Sequence, residues 1–227
     1  MYIPEYIQDI SCAVTIGEGS ASGTFIQKGS FTFVLTATHI INRRSKKKTD
    51  IQCYVTVRNK GREEIGIQTY GAKVFSYSSE KDGEDIAILL LRRKDLKFKP
   101  VKFYSRRDPP FPGVGSTVWH CGNLLGQWLQ SVVRGTISAI GRLVDDVLYD
   151  QSDIGGYTGS SGGGMFTDKG EYIGMLTRGA DNGGMHLFVP LRRMREWAKK
   201  RKLEWIFNPS LRIPSTKELR KVPIEDD

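Results

Sequence analysis

The chain has 227 residues, 39% of them hydrophobic and 26% charged, with a formal net charge of +9. That is enough to bury a sizeable core, and no apolar run approaches the ~18 residues of a membrane-spanning helix. The opening segment, MYIPEYIQDI, has neither the basic nor the apolar region of an export signal, so neither export nor membrane insertion is expected.

From the N-terminus onward the pattern is that of short β-strands. Runs rich in Val, Ile, Thr, Phe and Tyr recur at 23–27, 31–36, 51–58, 72–77, 85–91, 116–121, 131–140, 171–177 and 185–190, separated by Gly, Asp, Asn or Lys. Within 51–58 the alternation predicts Ile51, Cys53, Val55 and Val57 on one face. The continuous apolar run 85–91 predicts a strand buried on both sides. At 105–115, SRRDPPFPGVG, Pro and Gly crowd together and periodicity is lost. The simplest architecture is all-β, with two small antiparallel barrels joined there and closed by a helix; a single β-sandwich is the alternative. The boundaries read as 1–105 for the first barrel, 106–115 for the linker and 116–207 for the second barrel with its helix. Residues 208–227 read as an extended tail. The helix starts at Leu191, with Leu191, Met194, Ala198 and Trp205 near one face and Asn208-Pro209 as its stop.

Cys12, Cys53 and Cys121 are odd in number, widely spaced and without a CxxC. Buried free thiols and a reducing, cytoplasmic or otherwise intracellular setting follow, and no metal site is expected. The basic excess gathers at 43–48, 92–102 and 192–202. No nucleic-acid motif accompanies these stretches, so a solvated basic surface is expected; nucleic acid stays compatible with the charge alone. The run at 43–48 follows His39 closely, which would place it at the rim of any site built there and let it attract acidic segments.

The chemistry-bearing residues lie at three places. In GSSGGG, 159–164, a serine flanked by glycines suits a tight turn that exposes its hydroxyl and lets backbone N–H groups converge on one point. His39 ends the apolar run that contains TATH, and Asp85 opens the buried run DIAILLL. A serine hydroxyl needs a base to take its proton, imidazole serves near neutral pH, and a carboxylate fixes the imidazole tautomer. His120 reads as a satisfied core histidine.

TATH at 36–39, DIAIL at 85–89 and GSSGGG resemble the motifs around the triad of trypsin-like peptidases, whose chain order is likewise His, Asp, Ser. CGNLLG (121–126), RGTISAIGR (134–142), QSDIGGYTGSSGG (151–163) and GEYIGMLT (170–177) resemble the second-barrel signatures of the HtrA/Deg branch. The resemblance implies a chymotrypsin-like pair of six-stranded barrels and a serine endopeptidase that uses no cofactor. His39 would be the general base, Asp85 its partner and Ser161 the nucleophile, with Gly159 and Ser161 supplying oxyanion-hole N–H groups. It places Gly155, Thr177, Arg178, Gly179 and His186 around the pocket for the substrate side chain that precedes the scissile bond (P1). His186 stands where relatives carry a small residue; it would narrow that pocket or donate a hydrogen bond to Glu, Asp or Gln. The implied partner is a protein or peptide substrate. The oligomeric state stays open, with a trimer suggested by the resemblance. Ser160 and Gly164 depart from the branch's usual Asn and Pro, and the chain ends before the PDZ domain that such proteins typically carry. A catalytically latent module on the same fold, binding peptide or nucleic acid through its basic surface, and a viral or mobile-element processing protease are the other readings.

Overall fold

The computed structural model describes residues 2–42, 51–79, 83–105, 112–127, 129–179 and 185–224. The first barrel consists of β1 (Ser11–Ile16), β2 (Gly19–Lys28), β3 (Phe31–Thr36), β4 (Ile51–Arg58), β5 (Glu64–Tyr77) and β6 (Ala87–Leu91), closed in the order β1-β2-β3-β6-β5-β4. The two tight hairpins β1–β2 and β2–β3 have two-residue loops whose first residues, Gly17 and Gly29, sit at φ +57° and +56°. That positive φ matches the twist of the flanking strands and is free of steric cost only for glycine.

β7 (Lys102–Phe103) precedes the second barrel, which is built from β8 (Thr117–Asn123), β9 (Gln130–Val144), β10 (Val147–Ser152), β11 (Gly164–Thr167), β12 (Glu171–Gly179) and β13 (His186–Pro190). Its order is β11-β8-β9-β10-β13-β12, and pairing of β11 with β12 closes the ring. The expected pair of six-stranded antiparallel barrels is therefore what the chain forms. β7 runs parallel to β12, with Lys102 opposite Glu171 and Phe103 opposite Tyr172. The chain thus reaches the second barrel within the segment assigned to the first, ahead of the linker expected at 106–115; residues 106–111 of that linker lie outside the described residues.

Two cores are separated across β12, where a bulge at Ile173 offsets the alternation. Tyr172 and Met175 face a large core shared with the first barrel and the C-terminal helices, whereas Ile173 and Leu176 face the interior of the second barrel. The shared core contains an edge-to-face aromatic group in which Phe33 meets Phe75 at 5.2 Å and Trp205 at 5.3 Å between centroids. All three cysteines are buried and free, as expected, and burial pushes the Cys121 thiol up to about 12.

Four local expectations need correction. The helix from Leu191 ends at Lys200: α1 (Ile3–Asp9) and α2 (His39–Asn42) come earlier in the chain, α3 is Leu191–Lys200, and α4 (Glu204–Phe207) is separate. Lys202 at φ +59° turns the chain, and the Leu203 and Lys202 N–H groups donate to the carbonyls of Ala198 and Lys199 at 2.7 and 3.2 Å. That pattern satisfies the last carbonyls of the helix and stops it, so Trp205 belongs to the next helix. Second, the stretch beyond 207 is not simply extended. It carries α5 (Thr216–Leu219), opened by a reciprocal Ser215–Glu218 cap, and the Ile224 carbonyl accepts from the Tyr77 N–H at 2.7 Å. Third, the inward alternation of β4 holds through Val55, which packs partly buried against the core, and fails at Val57. Val57 is exposed where the β4–β5 hairpin runs past the barrel, while Thr56 is covered by Gln130, whose side-chain oxygen accepts from its N–H. Fourth, β6 begins at Ala87, so Asp85 lies two residues before the strand it was expected to open.

Candidate active site

Loop ends of the two barrels meet at Thr177 of β12, which contacts both Asp85 and Ser161. His39 follows β3 and starts the single turn α2; its side chain is 29% exposed, whereas that of Asp85 is 13% exposed. The His39 Nδ1 lies 2.9 Å from Asp85 Oδ2 and 3.1 Å from Oδ1, and the His39 backbone N–H donates to Oδ1 at 2.9 Å. Nδ1 therefore carries the proton and Nε2 is left free for the cleft. Asp85 holds this pose from a left-handed backbone, φ +52°, a conformation that costs a non-glycine residue about 1–2 kcal/mol. The surroundings fix it. Thr38 N–H donates to the Asp85 carbonyl at 3.3 Å, and the Thr38 hydroxyl donates to the Ile86 carbonyl at 2.6 Å. The Ile86 N–H donates to Ser78 Oγ at 2.9 Å. Burial pushes the Asp85 carboxyl up, but the hydrogen bonds from the His39 ring, the Thr177 hydroxyl and the His39 N–H outweigh it and hold the group below its ordinary value.

Ser161 comes from the second barrel, in the loop between β10 and β11. Its hydroxyl donates to the Thr177 carbonyl at 3.2 Å, and among the described residues it makes no hydrogen bond to His39. Thr177, expected only as a pocket wall, therefore touches both ends of the site: its hydroxyl binds Asp85 Oδ2 and its carbonyl accepts from Ser161. The loop is pinned to the first barrel by Ser22, whose N–H donates to the Ser161 carbonyl at 2.8 Å and whose hydroxyl donates to the Gly159 carbonyl at 2.7 Å. Nothing in the local sequence around Ser22 signals that role, because its partners lie 137 residues away and beyond.

Gly159 is the position where glycine is required. It sits at φ +92°, and a Cβ there would collide with the Asn123 carbonyl oxygen. Around it the Ser160, Gly162 and Gly163 N–H groups donate to the carbonyls of Tyr157, Leu176 and Ser160 at 2.9, 2.9 and 3.0 Å. The Gly159 and Ser161 N–H groups donate to none of the described residues.

Beside Ser161 opens a cavity of about 290 Å³ lined by Gly156, Tyr157, Thr158, Thr177, Arg178, Gly179 and His186, among others. The His186 ring fills the space beside two glycines: a Cβ on Gly156 would lie 2.5 Å from its Nδ1, and one on Gly179 2.6 Å from its Cε1. Burial lowers the His186 pKa, against a backbone contact with Arg178 that raises it. Gly155 does not line the cavity; Gly156 takes its place, and Gly155 faces the Tyr157 ring instead. The Arg178 side chain turns outward to Asp145 at 3.1 Å. The lysines of the 43–48 run lie outside the described residues. His120 is fully buried on β8, as expected of a core residue, but it is not satisfied as expected: Nδ1 lies 3.1 Å from the Gly164 carbonyl and Nε2 has no partner among the described residues. No group of His, Cys, Asp and Glu that could hold a metal occurs among the described residues, and no helix there is long and apolar enough to cross a membrane.

A family-wide sequence model described as "Trypsin-like peptidase domain" matches residues 21–175. No curated protein matches the sequence. Among solved structures, the serine endoprotease from Yersinia pestis superposes with a TM-score of 0.66 at 20% identity, covering 92% of this chain and 66% of that one. This chain thus spans slightly less than two thirds of that protein, and at such identity the likeness is one of fold.

Proposed function

Because this chain belongs to the trypsin-like peptidase domain family, whose members act on proteins or peptides, we propose that it is a serine endopeptidase working through Ser161, His39 and Asp85 and an acyl-enzyme. The observation that supports the reading is the linkage of the three residues through Thr177, whose carbonyl accepts from Ser161 while its hydroxyl binds Asp85, which in turn holds the His39 ring at Nδ1. The Ser161 hydroxyl must first leave the Thr177 carbonyl by rotating about χ1 towards His39 Nε2, a change between staggered wells. Its oxygen then attacks the scissile carbonyl carbon while Nε2 takes the proton, and Asp85 stabilises the imidazolium. Charge builds on the former carbonyl oxygen, where the two free N–H groups of Gly159 and Ser161 would receive it. Collapse of the intermediate expels the amine, which takes the proton from His39. Water, deprotonated by the same imidazole, then cleaves the ester and restores Ser161.

The neighbouring cavity would receive the P1 side chain. The His186 ring lies in its wall, and Asp and Glu are absent from its lining among the described residues. A side chain that accepts a hydrogen bond, as Gln, Glu or Asp does, suits it better than Lys or Arg.

The test is labelling by a fluorophosphonate serine probe, followed by peptide hydrolysis. Wild type is expected to label at Ser161; Ser161→Ala and His39→Ala should lose labelling, and kcat should fall by about 10⁶-fold. Labelling that persists in Ser161→Ala, or a folded wild type that neither labels nor cleaves, would sink the proposal. Among P1 variants of one peptide, Gln or Glu should be cut fastest, and His186→Gly should lower that preference by about 10-fold or more. An unchanged order would remove His186 from specificity.

A further inference from the structure

Asp85 is held on its downstream side by the first barrel, through Thr38 and Ser78. Its upstream side is held by groups from the other half of the chain. Arg193, on α3, is only 8% exposed, and its guanidinium faces the loop that carries Asp85. The Arg193 Nε and one terminal nitrogen donate to Glu84 Oε2 at 3.1 and 2.9 Å, and that same nitrogen donates to the Gly83 carbonyl at 3.0 Å. The other terminal nitrogen donates to the Leu148 carbonyl on β10 at 2.6 Å. The guanidinium carbon stands 4.9 Å from the centroid of the Tyr149 ring, whose hydroxyl also donates to the Gly83 carbonyl, at 3.3 Å. Val147 packs against Gly83, where a Cβ would lie 2.5 Å from its Cγ2.

Gly83 and Asp85 both sit in the left-handed region, at φ +65° and +52°. A segment of this shape persists only where its surroundings over-determine it. A buried arginine with a planar fork of donors, stacked on an aromatic ring and paired with a carboxylate, supplies such a restraint; lysine, with a single nitrogen, does not.

We infer that Arg193, acting through Glu84 and Gly83, is a positioning residue for Asp85, so that α3 and β10 of the second half hold the acid of the first barrel in register with His39. The inference rests on the reading of Asp85 as the triad acid. It extends that reading from the cleft to a bridge between the two halves of the chain.

The experiment compares wild type with Arg193→Lys, with the double variant Arg193→Met/Glu84→Gln, and with Arg192→Lys. The double variant removes both charges and so leaves no unpaired buried carboxylate. Arg192 neighbours Arg193 on α3 but pairs with Asp150 at 2.5 and 2.6 Å, within the second barrel, so its substitution controls for general loosening of the helix. Two readouts are taken. One is kcat and KM per probe-titrated active site; the other is the low-field proton NMR signal of the His39 Nδ1–H, which reports the His39–Asp85 bond whether or not the enzyme turns over.

Arg193→Lys and the double variant should lower kcat by roughly 10- to 100-fold, with KM held within about twofold. Both should broaden or shift the low-field signal, and Arg192→Lys should change neither readout. If both Arg193 variants keep wild-type kcat and signal, or change only as Arg192→Lys does, the inference is overturned. If the wild type carries the signal but Ser161 never labels, the peptidase reading fails by itself. A signal perturbed in the Arg193 variants would still support the bridge in that case, and an unperturbed one would refute it.

Discussion

The two barrels share one strand order, six strands closed as first-second-third-sixth-fifth-fourth, yet they are filled differently. Inside the first barrel the side chains are overwhelmingly apolar: Val14, Phe25, Val34, Leu89 and their neighbours are fully buried. Among the described residues the second barrel has only seven buried hydrophobic residues in its own inner core, and the same space holds His120, with Ser152 and Ser160 buried close by. Their turns differ as well. The first barrel uses glycine in its tight hairpins, whereas the β9–β10 hairpin turns on Asp145 and Asp146, both left-handed at φ +51° and +60°.

The division of labour follows from that filling. A base and its carboxylate need to be held still, and a close-packed apolar barrel transmits little play to its loop ends. A nucleophile loop and a pocket need converging N–H groups and room, which glycines and a more polar interior provide. The second barrel then depends on outside support: Ser22 pins its nucleophile loop, and much of its outer face is buried in the core shared with the first barrel.

The largest expected effect is on stability. Phe33 packs against Phe75 and Trp205 in the shared core, whereas Phe188 in the second barrel borders a small cavity already present beside Ile137 and Ile173. Phe33→Ala should cost about 3–5 kcal/mol, and Phe188→Ala about 1 kcal/mol less, because the cost of such truncations depends on the void they create. Urea denaturation of the two variants side by side checks this. Equal losses would mean that the second barrel is packed as tightly as the first.

Next comes a change that should spare stability relative to its effect on chemistry. Gly159→Ala places a methyl against the Asn123 carbonyl at a φ that alanine resists, so the loop must move and one N–H of the site moves with it. A loss of about 10²- to 10³-fold in kcat is expected, the size of removing one oxyanion donor, with a modest effect on KM. A loss confined to KM would mean that Gly159 shapes the pocket rather than the charge-stabilising site.

Much of this arrangement was legible in the residues. TATH, DIAIL and GSSGGG each mark their own site locally, because a catalytic side chain at a strand end and a glycine turn are both short-range signals. Three strands left weaker traces. β1, SCAVTI, mixes small polar residues into its apolar run; β10, VLYDQS, is half polar because it helps fill the polar barrel; β11, GMFT, is hidden at the end of a glycine run. α1 was announced only by Pro4 in its first turn, and it shares its segment with the features that were read for export. The supports of the site were illegible for a different reason. Ser22 to Gly159, Arg193 to Glu84 and Thr177 to Asp85 span 137, 109 and 92 residues, and no local pattern encodes a partner at that distance.

The smallest expected effect separates the barrels by pH. His120 is wholly buried on β8, its Nδ1 lying 3.1 Å from the Gly164 carbonyl and its Nε2 without a partner among the described residues. Burial pushes its pKa down to about 4; the Gly164 carbonyl opposes that shift, and His186 adds to it. An unfolded histidine titrates near 6.5, so between about 6.5 and about 4 the unfolded chain binds the extra proton. The stabilisation from neutral His120 is therefore complete above about pH 6.5 and declines as pH falls towards 4, by about 3 kcal/mol in all. His120→Gln, which can still donate to the Gly164 carbonyl but does not titrate, should flatten that decline. In hydrogen exchange followed from pH 7 to 4.5, after correction for intrinsic rates, protection should fall first in β8 and β11 of the wild type. β3 and β6 should hold longer, since among the described residues the first barrel buries no histidine. If the decline survives in His120→Gln, or begins in the first barrel, the polar interior of the second barrel is not the acid-sensitive element, and the contrast between the two barrels reduces to their loops.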